Sequence, residues 1–201
     1  MTANSMKIMF KLKLPTDPRW VNIAEKNLEE ILTDHAYCEQ KAASNAISIV
    51  VKHPEKTDLV TSMLELAKEE LSHFQMVHEQ LIKRGFVLGR ERRDEYVNLL
   101  YEFQRKGGSR TTWLVDRLLF GTMIEARSCE RFRLLSENIK DDELRNFYRE
   151  LMISEANHYT LFINFAYQYA DGEDIDKRWN EWLEYEGEII KKFGVKETMH
   201  G

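Results

Sequence analysis

The chain has 201 residues, 43% hydrophobic and 31% charged, with a formal net charge of −5, three prolines and nine glycines. That balance suits one soluble domain able to bury a sizeable core, and it leaves too little turn punctuation for a many-stranded β fold. No apolar run approaches the roughly 20 residues of a membrane span, and two cysteines, Cys38 and Cys129, make neither a disulfide framework nor a zinc ligand set, so a reducing cytoplasm is expected.

In chain order, the opening MTANSMKIMFKLKLP alternates apolar residues with lysines and lacks the continuous apolar region of a signal peptide. From there the dominant period is helical. A short helix is expected near 17–26, then a long one near 28–51. VKHPEKTD ends the latter at Pro54 and restarts at Thr57 or Asp58 as cap, opening a second long helix near 57–84. A stretch bounded by Gly85 and by Gly107–Gly108 follows, with a short helix near 93–105. Long helices three and four are expected near 110–137 and 141–169, joined by NIKDDE with Asp141 as cap, and a last helix lies near 174–192.

Both short joints make antiparallel neighbours, and the stretch between helices two and three is long enough to carry the chain back along a bundle. Two hairpins with one long crossover is the ferritin-like topology. The expected architecture is therefore all-α: a single ferritin-like four-helix domain over residues 1–201, with additional short helices.

The chain also repeats itself. Glu39 precedes EELSH by 31 residues at Glu70, and Glu125 precedes SEANH by 30 at Glu155. Helix two carries the apolar stripe Leu59, Met63, Leu66, Glu70, His73, Val77, Leu81, and helix four carries Leu144, Phe147, Leu151, Glu155, His158, Phe162, Phe165, Tyr169. Helix one offers Leu32, His35, Glu39, Ala42, Ala46 and Ile49, and helix three offers Leu118, Gly121, Glu125, Cys129 and Phe132. Each stripe thus carries a carboxylate near its middle, two of them with a histidine three residues on, and all four glutamates are expected at one height inside the bundle.

A single such Glu is most simply a surface residue. Four at mid-helix are a different matter, because the idealised transfer cost is of order 20 kcal/mol per buried ion and several remain after relaxation. No Lys or Arg occupies the neighbouring stripe positions. Two divalent cations with four carboxylates and two neutral imidazoles sum to zero charge. One Glu from each of two helices plus Glu-x-x-His from each of the other two is the ligand set of carboxylate-bridged di-iron bundles. Hard oxygen donors with one nitrogen per ion suit Fe or Mn better than Zn or Cu. The expected ligands are Glu39, Glu70, His73, Glu125, Glu155 and His158, with Glu70 and Glu155 bridging. Cys129 and His35 are read as core residues, and Tyr37 and Tyr159 as candidate outer partners of the ligands.

The wording of several segments is itself distinctive. DHAYCEQKAASNAISIV, LAKEELSHFQMV, RGFVLG, LLFGTMIEARSCERF and FYRELMISEANHYTLF resemble the tRNA-(2-methylthio-N6-dimethylallyladenosine) hydroxylases, the MiaE-like family, over roughly residues 20 to 190. Residue by residue, the resemblance places the family's iron ligands on the same six positions. It implies two iron ions, O2 as co-substrate, and hydroxylation of the isopentenyl side chain of a hypermodified adenosine beside the tRNA anticodon. It also implies an electron donor such as a ferredoxin or reductase, and no membrane partner.

Against a net negative charge, basic residues cluster in two places. KRGFVLGRERR holds Lys83, Arg84, Arg90, Arg92 and Arg93, and the surroundings of KGGSR hold Arg105, Lys106 and Arg110. Arg127, Arg131 and Arg133 add a third set. These are the expected phosphate contacts. An unpaired anticodon-loop base can be splayed into a pocket. The rival readings are iron storage or ferroxidase on the same bundle, a small-molecule di-iron oxygenase, and a metal-free helical interaction module.

Overall fold

The computed structural model describes residues 10–193 and Met199. Among the described residues there is no strand, and seven helices follow one another. They are α1 (Trp20–Lys26), α2 (Leu28–Lys52), α3 (Thr57–Lys83), α4 (Glu95–Glu102), α5 (Arg110–Asn138), α6 (Asp142–Gln168) and α7 (Ile175–Phe193). The fold is all-α and ferritin-like, with four long helices arranged as two hairpins and joined by a crossover that carries α4. No helix of the described residues is long and apolar enough to cross a membrane. The chain divides into two compact units: residues 26–93 with Met199, and residues 10–25 with 94–193.

The first unit is the α2–α3 hairpin and the segment that follows it. His53 closes α2, its N–H reaching Ile49 O and Val50 O, and Pro54 then prevents continuation. Neither Thr57 nor Asp58 caps α3. Lys56 stands at the N-cap and its side chain does not cap the helix, while the Thr61 hydroxyl turns back to the Thr57 carbonyl. The stripe from Leu59 through Met63, Leu66, Glu70, His73 and Val77 to Leu81 is buried throughout. At the far end Gly85 adopts φ +73°, the left-handed conformation a helix stop requires. Phe86 N–H then reaches Leu81 O and Gly85 N–H reaches Ile82 O, which satisfies the last carbonyls of α3.

The segment after Gly85 is tied to α2. Val87 N–H donates to Glu29, Gly89 N–H donates to the Thr33 hydroxyl, and the Tyr37 hydroxyl donates to Gly89 O at 3.0 Å. Arg92 pairs with Glu30 at 3.1 Å and Lys41 with Glu91 at 3.0 Å.

In the second unit each of three helix starts is a side-chain cap. Asp94 accepts from Val97 N–H, Ser109 from Thr112 N–H and Asp141 from Leu144 N–H. Helix α5 is enclosed on all sides: between Leu114 and Ser136 only Arg117 and Ile124 escape burial. One face packs on α6, where the Phe162 ring lies so close that a Cβ on Gly121 would stand 2.9 Å from it. The opposite face is charged. Arg127, fully buried, donates to Glu186 on α7 (Nε to Oε1, 2.9 Å), to Glu130, to the Thr16 hydroxyl and to Leu14 O. Glu130 also accepts from Thr16 N–H and its hydroxyl, and the Tyr96 hydroxyl donates to Glu186.

A second network lies toward the start of α5. Asp116 accepts from Arg178 and Arg105 at 2.8–2.9 Å. Burial alone would push the Asp116 carboxyl up; the two guanidiniums outweigh it and hold it below the usual aspartate range.

Candidate metal centre

In the first unit the helical period turns Glu39 of α2 and Glu70 and His73 of α3 to the buried side of their hairpin, with 4%, 0% and 6% of their surface exposed. One ligand atom from each lies within 4.8 Å of the others. His73 presents Nδ1 to the carboxylates, 3.2 Å from Glu70 Oε2 and 3.8 Å from Glu39 Oε2, while its Nε2 points outward to Glu69 at 3.9 Å. Glu39 Oε1 is taken by a different group, the Nε2–H of His35 at 2.6 Å.

The second unit repeats the pattern. Glu125 of α5 and Glu155 and His158 of α6 are each 3% exposed, and their ligand atoms also lie within 4.8 Å of one another. His158 again turns Nδ1 to the carboxylate, 3.8 Å from Glu155 Oε1, and its Nε2 stands 3.5 Å from the Ser154 hydroxyl. The shared orientation follows from the i, i+3 spacing, which stacks each histidine over its own glutamate.

Each unit therefore collects two carboxylates and one imidazole in a buried cluster capable of holding a metal ion. Ionised carboxylates are costly away from water without a compensating cation. Oxygen-rich donor sets with a single imidazole suit iron or manganese, so the residues present fit the group that the sequence implies.

Other residues near the clusters have different tasks. The Cys129 thiol, pushed up by burial and by the nearby Glu155 charge, donates to Met152 O and behaves as core. Tyr37 directs its hydroxyl to Gly89, and its ring packs edge-on against Phe74. Tyr159 packs against Phe10 and Trp179, and burial pushes its phenol up to about 12.

The basic residues separate into three groups. Lys83, Arg90, Arg93, Lys106 and Arg110 are exposed. Arg84, Arg92 and Arg105 are half-buried and engaged, with Gln80, Glu30, and the pair Asp116 and Glu173 respectively. Arg127 and Arg131 correct the sequence reading, which expected both at a nucleic-acid surface. Arg127 is locked to Glu186 and Glu130, and Arg131 lies 4.5 Å over the Trp20 ring, its guanidinium pushed down to about 10 by burial and by Arg127. Arg133 is buried beside them and pairs with Glu137. Where Arg127, Arg131 and Arg133 stand, α5 is buried and has no solvent face on which to offer them. The acidic partners lie in Glu130, Glu137 and the distant Glu186; only the first two were visible as i+3 and i+4 neighbours.

Comparison with known proteins adds the family. A model of tRNA-(MS[2]IO[6]A)-hydroxylase (MiaE) matches residues 3–201. The chain belongs to the MiaE family. Two relatives named tRNA 2-(methylsulfanyl)-N(6)-isopentenyladenosine(37) hydroxylase accompany that match. The one from Pseudomonas putida is 40% identical over 164 residues, 82% of this chain and 78% of the relative. The one from Salmonella typhimurium is 30% identical over 228 aligned positions, 89% and 83% of the two chains. Among solved structures, Protein 43 with aldehyde deformylating oxygenase activity from Synechococcus superposes with a TM-score of 0.87 at 33% identity, over 94% of this chain and 95% of that one.

Proposed function

We propose that the two clusters, one from each unit, together hold two iron ions, and that the chain is an O2-dependent monooxygenase acting on the isopentenyl group of a hypermodified adenosine in tRNA. On this reading the two units work as one ferritin-like domain, and the six residues that would hold the iron are Glu39, Glu70, His73, Glu125, Glu155 and His158. The observation that carries it is the repeated buried Glu and Glu-x-x-His set in a chain of the MiaE family. Four carboxylates balance two M²⁺ ions, which accounts for their burial.

When bound, the iron pair supplies the two-electron reduction of O2 needed to oxidise an unactivated C–H bond. The protein contributes the rest. The apolar stripes above and below each cluster, such as Leu66 and Val77 on α3 or Leu151 and Phe162 on α6, keep water from the reacting atoms. The exposed Lys83, Arg90, Arg93, Lys106 and Arg110 would meet the phosphates. One oxygen atom of O2 enters the product and the other leaves as water, so an electron donor such as a ferredoxin or reductase must supply two electrons. The cytoplasm, where tRNA is found, is the matching compartment.

The test is a single turnover of iron-loaded, reduced protein with ¹⁸O2 and tRNA carrying the isopentenylated nucleoside. Mass spectrometry of the digest is expected to show one labelled oxygen on that nucleoside. Label from water, or no product with fully reduced enzyme, overturns the reading. The similarity to a protein named for aldehyde deformylating oxygenase activity favours a second reading, a small-molecule oxygenase. Turnover of an aldehyde with no change in tRNA, in parallel reactions, selects it.

A further inference from the structure

The two clusters share a ligand pattern but differ one helical turn before the first glutamate. That position is His35 in α2 and Gly121 in α5. His35 is fully buried, and its Nε2–H donates to Glu39 Oε1 at 2.6 Å. The other Glu39 oxygen, Oε2, faces His73 Nδ1 at 3.8 Å, on the same side as Glu70 Oε2. The carboxylate is thus divided, with one oxygen held from behind by an imidazole and the other turned toward the remaining ligand atoms. In α5 the same position cannot carry an imidazole, because a Cβ at Gly121 already meets the Phe162 ring at 2.9 Å.

We propose that His35 is a positioning residue, which holds Oε1 of Glu39 so that Glu39 offers a metal ion Oε2 alone. The inference rests on the di-metal reading given above. A carboxylate able to turn can grip an ion with both oxygens and fill two coordination positions. A short, charge-assisted hydrogen bond in a buried setting opposes that rotation and keeps one position open. An ion held by Glu39, Glu70 and His73 would then keep one position free, in surroundings unlike those the α5–α6 hairpin would offer.

Anaerobic titration of the full-length, metal-free protein with ferrous iron tests this, read by circular and magnetic circular dichroism in the near infrared. The variants are His35→Leu, which removes the donor, His35→Gln, whose amide nitrogen falls where Nε2 stood, and His35→Asn, polar but too short to reach Glu39. Wild type is expected to show two binding steps with distinct ligand-field bands. His35→Leu and His35→Asn should shift the ligand-field bands of one step toward those of a more highly coordinated ion, because Glu39 is then free to bind through both oxygens. His35→Gln should restore the wild-type bands. The Tm of the metal-free protein should not account for that shift. Should the Leu variant fail to fold, the Gln and Asn pair decides.

Unchanged bands in Leu or Asn would overturn the proposal. So would band shifts in Gln equal to those in Asn that track the metal-free Tm, since that is the behaviour of an ordinary core histidine. A wild-type protein that takes up no iron would instead overturn the di-metal reading, and the inference with it.

Discussion

The α2–α3 and α5–α6 hairpins carry the same chemical pattern in different settings. In each, a glutamate on the first helix is followed about 30 residues later by Glu-x-x-His on the second. In the first hairpin only one side is buried: Ile47 and Val51 on α2 and Leu64 and Leu71 on α3 remain exposed. Its Lys41–Glu91 and Arg92–Glu30 pairs lie at the surface. In the second, α5 is enclosed, and its far side holds Arg127, Glu130 and Glu186 in a buried network. The contrast shows that period and ligand spacing belong to the hairpin, while the fate of every other charge depends on what packs around it.

The largest expected effect tests whether the two hairpins are equal partners. Glu70→Ala and Glu155→Ala, one in each, should each abolish turnover and weaken iron retention, measured as iron per chain after reconstitution and as product in digested tRNA. Loss of the bound metal also removes its contribution to native-state stability. Either variant retaining wild-type iron content and rate breaks the equivalence and the ligand assignment.

Next comes the difference in ionic surroundings. Arg127→Met should destabilise the protein by about 3–5 kcal/mol, because Glu186 and Glu130 would stay buried without their cation. Lys41→Met, at a partly exposed pair in the other hairpin, should cost about 0–1 kcal/mol. Urea unfolding of the metal-free variants measures both, and similar values would mean that the network around α5 is no tighter than a surface pair.

A smaller effect separates the helix contacts. Gly121→Ala forces the Phe162 ring away from α5 and should cost about 1–3 kcal/mol, as overpacking does. Ser44→Ala, on the exposed side of α2, should change stability by less than about 0.5 kcal/mol. Thermal melts of both compare them directly.

The smallest structural effect concerns the surface. Arg90→Glu with Arg93→Glu, in the segment tied to α2, should weaken tRNA binding and leave iron content unchanged. The slope of log affinity against log salt should fall by about 1 for each phosphate no longer neutralised. The same pair of measurements on Lys106→Glu with Arg110→Glu shows whether the other basic loop shares the task. An unchanged slope in both pairs places the nucleic-acid face elsewhere.

The stripes show how far periodicity reaches. Every stripe residue of α3 from Leu59 to Leu81 is buried, and so are those of α5 from Leu118 to Phe132. The 3.6-residue repeat places these groups before any neighbour is known. The same repeat put Arg127 and Arg131 on the side of α5 away from the stripe, and from there a solvent face was the natural expectation. Glu186 lies 59 residues away from Arg127 in sequence and Trp20 lies 111 from Arg131, so no local rule could find either partner.

What the sequence determined by itself was the set of helices, their caps at Asp141 and stop at Gly85, and the four mid-stripe carboxylates with their histidines. These depend on interactions within a few residues along the chain, where spacing and geometry are equivalent. Only the tertiary structure decided which charges are exposed, that neither Thr57 nor Asp58 caps α3, and that His35 gives its proton to Glu39 rather than to a core neighbour. The position of His35 one turn before Glu39 was visible from the start. Its rotamer, and with it the oxygen that Glu39 keeps for a metal, is set by the packing of α2 within its hairpin, and side-chain orientation in a close-packed interior is a property of the neighbours.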